Sequence, residues 1–203
     1  MAWTAPVKGG DFELPPEDTH VARCYRIVDL GTSLNERYGK KQHKIIVGWE
    51  LPYALMKDGD MAGRPFSIHQ RYTFSMSPKA NLRADLESWR GKKMTDEDAE
   101  AFDISAVIGK PCMIGVVHNN GYANVSSIIK VPHGIDCPPQ INEPLLFVLT
   151  PERFSQTIFD KLSDKLKETI TKSDEYQEIV HGVKEERKGA PPIDDFDDDI
   201  PFN

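Results

Sequence analysis

The chain has 203 residues, 39% of them hydrophobic and 28% charged, with a formal net charge of −7. That length accommodates one ordinary domain with extensions, and the lack of any run of 18 apolar residues excludes a membrane-spanning helix. The opening Met1-Ala2-Trp3-Thr4-Ala5-Pro6 lacks the basic start and apolar stretch of a secretory signal, so a cytoplasmic location is expected.

Charge is divided unevenly along the chain. Residues 20–93 carry 14 Lys and Arg against 7 Asp and Glu, whereas residues 191–203 carry 5 Asp and no basic residue. A basic working surface tethered to an acidic arm has this signature. Cys24, Cys112 and Cys137 are far apart, with no CxxC pair and no accompanying histidine set. No metal site or cofactor is expected, and Cys24 and Cys112, set in apolar runs, read as small core residues.

Residues 1–19 show little periodicity and read as an N-terminal arm. Five strand signals follow. His20 to Leu30 is rich in β-branched and aromatic residues. His43 to Leu51 alternates, with Ile45, Val47, Trp49 and Leu51 on one side. Pro65 to Met76 alternates more cleanly, setting Phe66, Ile68, Tyr72, Phe74 and Met76 against Ser67, His69, Arg71, Thr73 and Ser75. Pro111 to His118 and Tyr122 to Val131 flank Asn119-Asn120-Gly121, a hairpin turn that tolerates positive φ.

Between the third and fourth strands the period becomes helical. Ser77-Pro78 is expected to start a helix carrying Leu82, Leu86 and Trp89 and ending at Gly91. Thr95-Asp96-Glu97-Asp98 opens a second, short one. Five strands with helices inserted after the third match a mainly β fold, the five-stranded OB-type barrel. That domain is expected over residues 20–149. Residues 132–144 form a structureless connection with four prolines, and Leu145 to Leu149 is an apolar run docked on the barrel. A helical extension over residues 150–183 is expected, its main amphipathic helix carrying Phe154, Ile158, Leu162, Leu166 and Ile170 at i+4 steps. This stripe packs on the barrel or makes a homodimer contact. Residues 184–203 lose periodicity and read as a disordered acidic tail.

The tail ends Asp194-Asp195-Phe196-Asp197-Asp198-Asp199-Ile200-Pro201-Phe202-Asn203. Interleaved apolar residues make this more than a solubilising run: carboxylates steer such a peptide to a basic patch and its rings fill a pocket. Asp197 to Phe202 resembles the C-terminal tip of bacterial single-stranded-DNA-binding proteins. That resemblance implies that Asp194 to Phe202 binds replication, repair or recombination enzymes such as a polymerase, helicase, primase or nuclease. The family ends on Phe, whereas Asn203 follows here. Gly48-Trp49-Glu50-Leu51 and the segment Lys79 to Gly91 resemble OB-fold single-stranded-DNA-binding proteins of tailed bacteriophages. This implies a host bacterial cytoplasm and roles in DNA replication and recombination.

Single strands are held by cations along the phosphates and by aromatic faces that stack on bases. OB-folds use the outer face of strands two and three with the adjoining loops. Arg37, Tyr38, Lys40 and Lys41 in the first hairpin, Lys44 on strand two, and His69 and Arg71 on strand three fit this chemistry. Lys57 and Arg64 extend the track, and Tyr122 follows the last hairpin turn. Trp49 and Tyr72 are expected in the core. Asp96, Glu97, Asp98 and Glu100 read as helix-capping charges, and no glycine-rich phosphate loop, HExxH or GxSxG is present, so no enzyme is expected. A strand-annealing or recombination-mediator protein shares the barrel and tail. An adaptor or DNA mimic has the tail alone, which the basic first three strands argue against.

Overall fold

The computed structural model describes residues 13–36 and 39–189. Three long strands open the fold: β1 (Asp18–Asn35), β2 (Lys40–Leu55) and β3 (Pro65–Thr73). Helices α1 (Asn81–Arg90) and α2 (Asp96–Glu100) and a 3-10 turn (Ile104–Val107) come next. Then follow β4 (Pro111–Asn119), β5 (Tyr122–Ile129) and the short β6 (Leu145–Phe147). The sheet runs β3-β2-β1-β4-β5 with antiparallel neighbours, and β6 joins β1 in parallel. The outermost strands β3 and β5 approach each other without a hydrogen-bonded ladder, so the sheet is open.

The expected periodicities explain the core. Ile45, Val47, Trp49 and Leu51 of β2, with Phe66, Ile68 and Tyr72 of β3, are buried on one face beneath Leu82, Leu86 and Trp89 of α1. Trp49 and Tyr72 are therefore core residues, as are Cys24 and Cys112, and burial pushes the Cys24 thiol up to about 12. The Asn120-Gly121 turn has φ of 52° and 78°, which lets a two-residue loop follow the strand twist. Thr95 and Asp98 form a reciprocal capping box at α2.

Three expectations are corrected. Helix α1 begins at Asn81 rather than at Ser77-Pro78, because Ala80 N–H closes a turn onto Ser77 O and Ala80 itself is extended, with φ −78° and ψ 134°, so the regular helix starts after it. Strand β3 ends at Thr73, leaving Phe74 43% exposed beyond it. The one amphipathic helix expected to carry Phe154 to Ile170 is two, α3 (Gln156–Asp160) and α4 (Asp164–Thr171); α5 (Asp174–Gly189) follows them within the expected helical extension. Ser155, Ser163 and Ser173 each precede a new helix, as serine favours caps over helix interiors. Helix α5 also runs past Val183 to Gly189.

The stripe nevertheless stays on one side. Phe154, Ile158, Leu162, Leu166 and Ile170 join Val28, Leu30 and Phe147 in a second core on the outer face of β1, so the stripe is taken up within the chain. A polar staple fixes this layer to the sheet. Asp29 Oδ1 lies 2.6 Å from His43 Nε2, and Glu175 Oε2 accepts from Thr32 N–H at 2.6 Å. The hydrogen bond to Asp29 raises the His43 value against the opposing effect of burial. Burial would raise both carboxyls, but hydrogen bonds from His43 and Gly31 to Asp29, and from Thr32 to Glu175, hold them below the ordinary carboxylate value. Among the described residues, no helix is long and apolar enough to cross a membrane.

Candidate nucleic-acid interface

The face of β1–β3 opposite the main core is built in cross-strand rows. Arg26, Gly48 and His69 lie opposite one another in register, followed by Val28, Ile46 and Arg71. Lys44 stands opposite Thr73 in the next row. His69 and Arg71 thus point outward, and both are exposed.

A bulge determines what β1 contributes. Cys24 pairs with Trp49 and Arg26 with Gly48, so β1 holds one extra residue, Tyr25. Strict alternation would turn Arg26 inward after Cys24. The bulge carries both Tyr25 and Arg26 to the outer face and returns Ile27 to the core.

Tyr25 then reaches across β2. Its hydroxyl lies 3.1 Å from His69 Nε2, and the rings meet edge to face with centroids 6.1 Å apart. Gly48 lies beneath the aromatic pair. A Cβ there would fall 2.5 Å from His69 Cδ2 and 2.7 Å from Arg26 Cγ. On its covered side the surrounding protein crowds water from the His69 ring, and Arg26 repels its proton; together they push the imidazole down to about 4. At neutral pH it is an uncharged aromatic group with one open side.

Hollows extend this row at both ends. One of about 330 Å³ is lined by Tyr25, Arg26, Asn142, Glu143, Pro144 and Lys161 among others. Another, of about 370 Å³, is lined by Arg71, Thr73, Ser75 and Lys79. Among the described residues Arg26, Lys44, Arg71, Lys79 and Lys161 make no ion pair, and the buried Arg26 Nε has no hydrogen-bond partner. Tyr25, Arg26, Gly48, Lys79 and Lys161 escape a reading of the sequence by alternation. The bulge is invisible to that pattern, and the last two lie outside the strands.

The remaining candidates are dispersed. Lys40 is exposed at the β1–β2 hairpin, and Lys41 beside it already holds Asp174 at 2.7 Å. Arg37 and Tyr38, and the whole segment from Asp194 to Phe202, lie outside the described residues. Lys57 and Arg64 are exposed in the loop before β3, at the end of that strand remote from Arg71. Their surroundings are mixed in sign: Glu13 accepts from the Lys57 backbone N–H at 2.7 Å, and Asp58 and Asp60 share the loop. Tyr122 is 72% exposed, but its hairpin lies past the N-terminal end of β1, whereas the β1–β2 tip lies at the other end.

The connection over residues 132–144 has no regular structure yet is firmly held. Arg23 donates to the carbonyls of Cys137, Pro138 and Gly109 at 2.8, 2.9 and 2.6 Å. The fully buried Glu50 carboxylate accepts from Ile141 N–H, Asn142 N–H and the Asn142 amide at 2.8, 2.7 and 2.8 Å. These bonds hold Asn142 and Pro144 in the wall of the hollow beside Tyr25. Compared with family models, curated proteins and solved structures, the chain matches none.

Proposed function

We propose that the chain is a binding protein for single-stranded DNA, which it holds without strong sequence preference on the part of the outer sheet face that the C-terminal helices leave open, around Tyr25, His69 and Arg71. The observation that carries this reading is the Tyr25–His69 pair flanked by Arg26 and Arg71, two guanidinium groups without carboxylate partners among the described residues. Aromatic faces stack on any base, and cations on either side neutralise the phosphates between them. Lys161, Lys79 and Lys44 continue the positive track.

The strand order and the helices between β3 and β4 support an OB-type barrel, whose outer sheet face and loops receive single strands. The acidic segment Asp194 to Phe202, with its interleaved Phe196, Ile200 and Phe202, recruits replication or recombination enzymes in this reading.

The test is a fluorescence titration with labelled oligo-dT and with a duplex of equal length, each at two salt concentrations. Tight binding to oligo-dT that weakens with added salt, and little binding to duplex, is the expected result. Equal affinity for the two nucleic acids, or affinity indifferent to salt, refutes it.

A further inference from the structure

A third hollow lies beside α1, lined by none of the residues of the other two. Its volume is about 480 Å³, and its floor is Leu86, Trp89, Phe102, Val107 and Val131. Trp89 is fixed there by donating Nε1–H to Pro111 O at 2.8 Å. Three cations stand in its wall: Arg90, Lys110 and Lys130. All three are exposed, none has a carboxylate partner among the described residues, and no acidic residue lines the hollow. Arg90 lies over the Phe102 ring at 5.6 Å, and the Lys130 stem runs across Gly91.

An apolar pocket inside a ring of unpaired cations selects a ligand that is apolar at its tip and anionic around it. The chain carries such a segment. Beyond Gly189, where α5 ends, 14 residues remain; five of these are Asp, interleaved with Phe196, Ile200 and Phe202. Fully extended, they reach roughly 46–50 Å, and tethering to the same chain gives the segment an effective concentration on the order of millimolar.

We infer that this hollow is the docking site for the protein's own C-terminal segment, with an apolar ring of Phe196 or Phe202 in the pocket and the neighbouring aspartates on Arg90, Lys110 and Lys130. The site is separate from the Tyr25–His69 face, so the inference does not depend on what that face binds. Docked there, the segment is withheld from any other partner until that partner competes for it.

Zero-length carbodiimide cross-linking of the full-length protein, read by mass spectrometry, tests this directly. Amide links from Lys110 and Lys130 to Asp194, Asp195, Asp197, Asp198 or Asp199 are expected, and an equimolar mixture of ¹⁴N and ¹⁵N protein separates links within a copy from links between copies; either supports the site. Phe202→Ser combined with Phe196→Ser removes the ring, and Ala106→Trp fills the pocket mouth. Each leaves every lysine and aspartate in place, and each should lower those links by about tenfold or more. Unchanged melting curves for these variants show that the fold survives. Links spread evenly over exposed lysines, or concentrated on Lys44 and Lys79, overturn the proposal, as do links that persist in all variants. Loss of oligo-dT binding with these links intact refutes only the DNA reading.

Discussion

Tyr25 and His69 come from strands that are not neighbours, yet their side chains meet at 3.1 Å because Gly48 of the intervening β2 has no side chain. Gly48→Ala forces His69 and Arg26 apart, since the new Cβ falls within 2.7 Å of both. Overpacking of this kind costs about 1–3 kcal/mol. The expected outcome is a lower melting temperature together with weaker oligo-dT binding. A variant that melts lower but binds as before shows that the pair's geometry does not matter for DNA.

Tyr25→Ala should weaken oligo-dT binding by about 1–3 kcal/mol if the ring stacks on a base. Tyr25→Phe keeps the ring and loses only the hydroxyl, so it should retain most of the affinity. Comparable losses in both variants would make the hydroxyl, rather than stacking, the contribution. Tyr38→Ala tests whether a second base is held by that residue, on the same scale.

Arg71 is exposed and has no ion-pair partner among the described residues, so its removal should act through phosphate alone. Arg71→Ala is expected to reduce the slope of log affinity against log salt by roughly 0.7, the contribution of one single-strand phosphate contact. Its melting temperature should stay that of the parent protein. An unchanged slope removes Arg71 from the track. Lys57→Ala and Arg64→Ala, made beside acidic neighbours, should change the slope less.

The polar cluster in which Glu175 of α5 meets Asp29 and His43 of the sheet is pH-dependent. His43 holds its proton more tightly folded than unfolded, so its pairing with Asp29 stabilises fully below the ordinary histidine value and is lost as pH rises through the elevated one. Asp29 and Glu175, held low, contribute above the ordinary carboxylate value and lose that contribution as pH falls. His69, pushed down to about 4, also destabilises the fold as pH falls from the ordinary histidine value toward 4. The acid limb is therefore composite, and the limb between pH 6 and 8 reports His43, because the buried Cys24 and Cys112 thiols begin to act only as pH approaches 9. Melting from pH 6 to 8 should show a decline in the parent that is absent in His43→Gln. The same decline in both sinks this assignment.

Much of this architecture was legible in the sequence, because period two and turn chemistry act locally. Trp49 and Tyr72 alternate with polar residues on their strands and lie in the core; Asn120-Gly121 makes its hairpin; the i+4 stripe from Phe154 to Ile170 faces the sheet even though Ser155 and Ser163 cut its helix into pieces. Two features were not legible. A one-residue bulge at Tyr25 reverses the face of Arg26, and nothing in the local pattern marks it. The partners of Glu50 lie about 90 residues downstream, so a buried carboxylate in an apolar strand had no visible explanation. Within Gly48-Trp49-Glu50-Leu51 the residues divide the work: Gly48 gives clearance to the aromatic pair, Trp49 and Leu51 fill the core, and Glu50 anchors the connection.

That anchor supplies the last prediction. Glu50 is fully buried in the sheet, and its carboxylate is the acceptor for three donors of the connection between β5 and β6. Glu50→Ala strands those donors, each at a cost of roughly 1–3 kcal/mol unless water reaches it. Because the connection lies at the surface, partial hydration limits the total, and a loss of about 3 kcal/mol in stability is expected. Glu50→Gln keeps one acceptor oxygen but turns an amide N–H₂ toward backbone donors, so it should fall between the two. Limited proteolysis then separates local from global damage. If Glu50 pins the connection, cleavage within residues 132–144 appears in Glu50→Ala at temperatures where the sheet is still folded, and oligo-dT binding falls as Asn142 and Pro144 leave the wall beside Tyr25. Cleavage that begins only with global melting would mean that Arg23, with its three carbonyl contacts, holds the connection without help from Glu50.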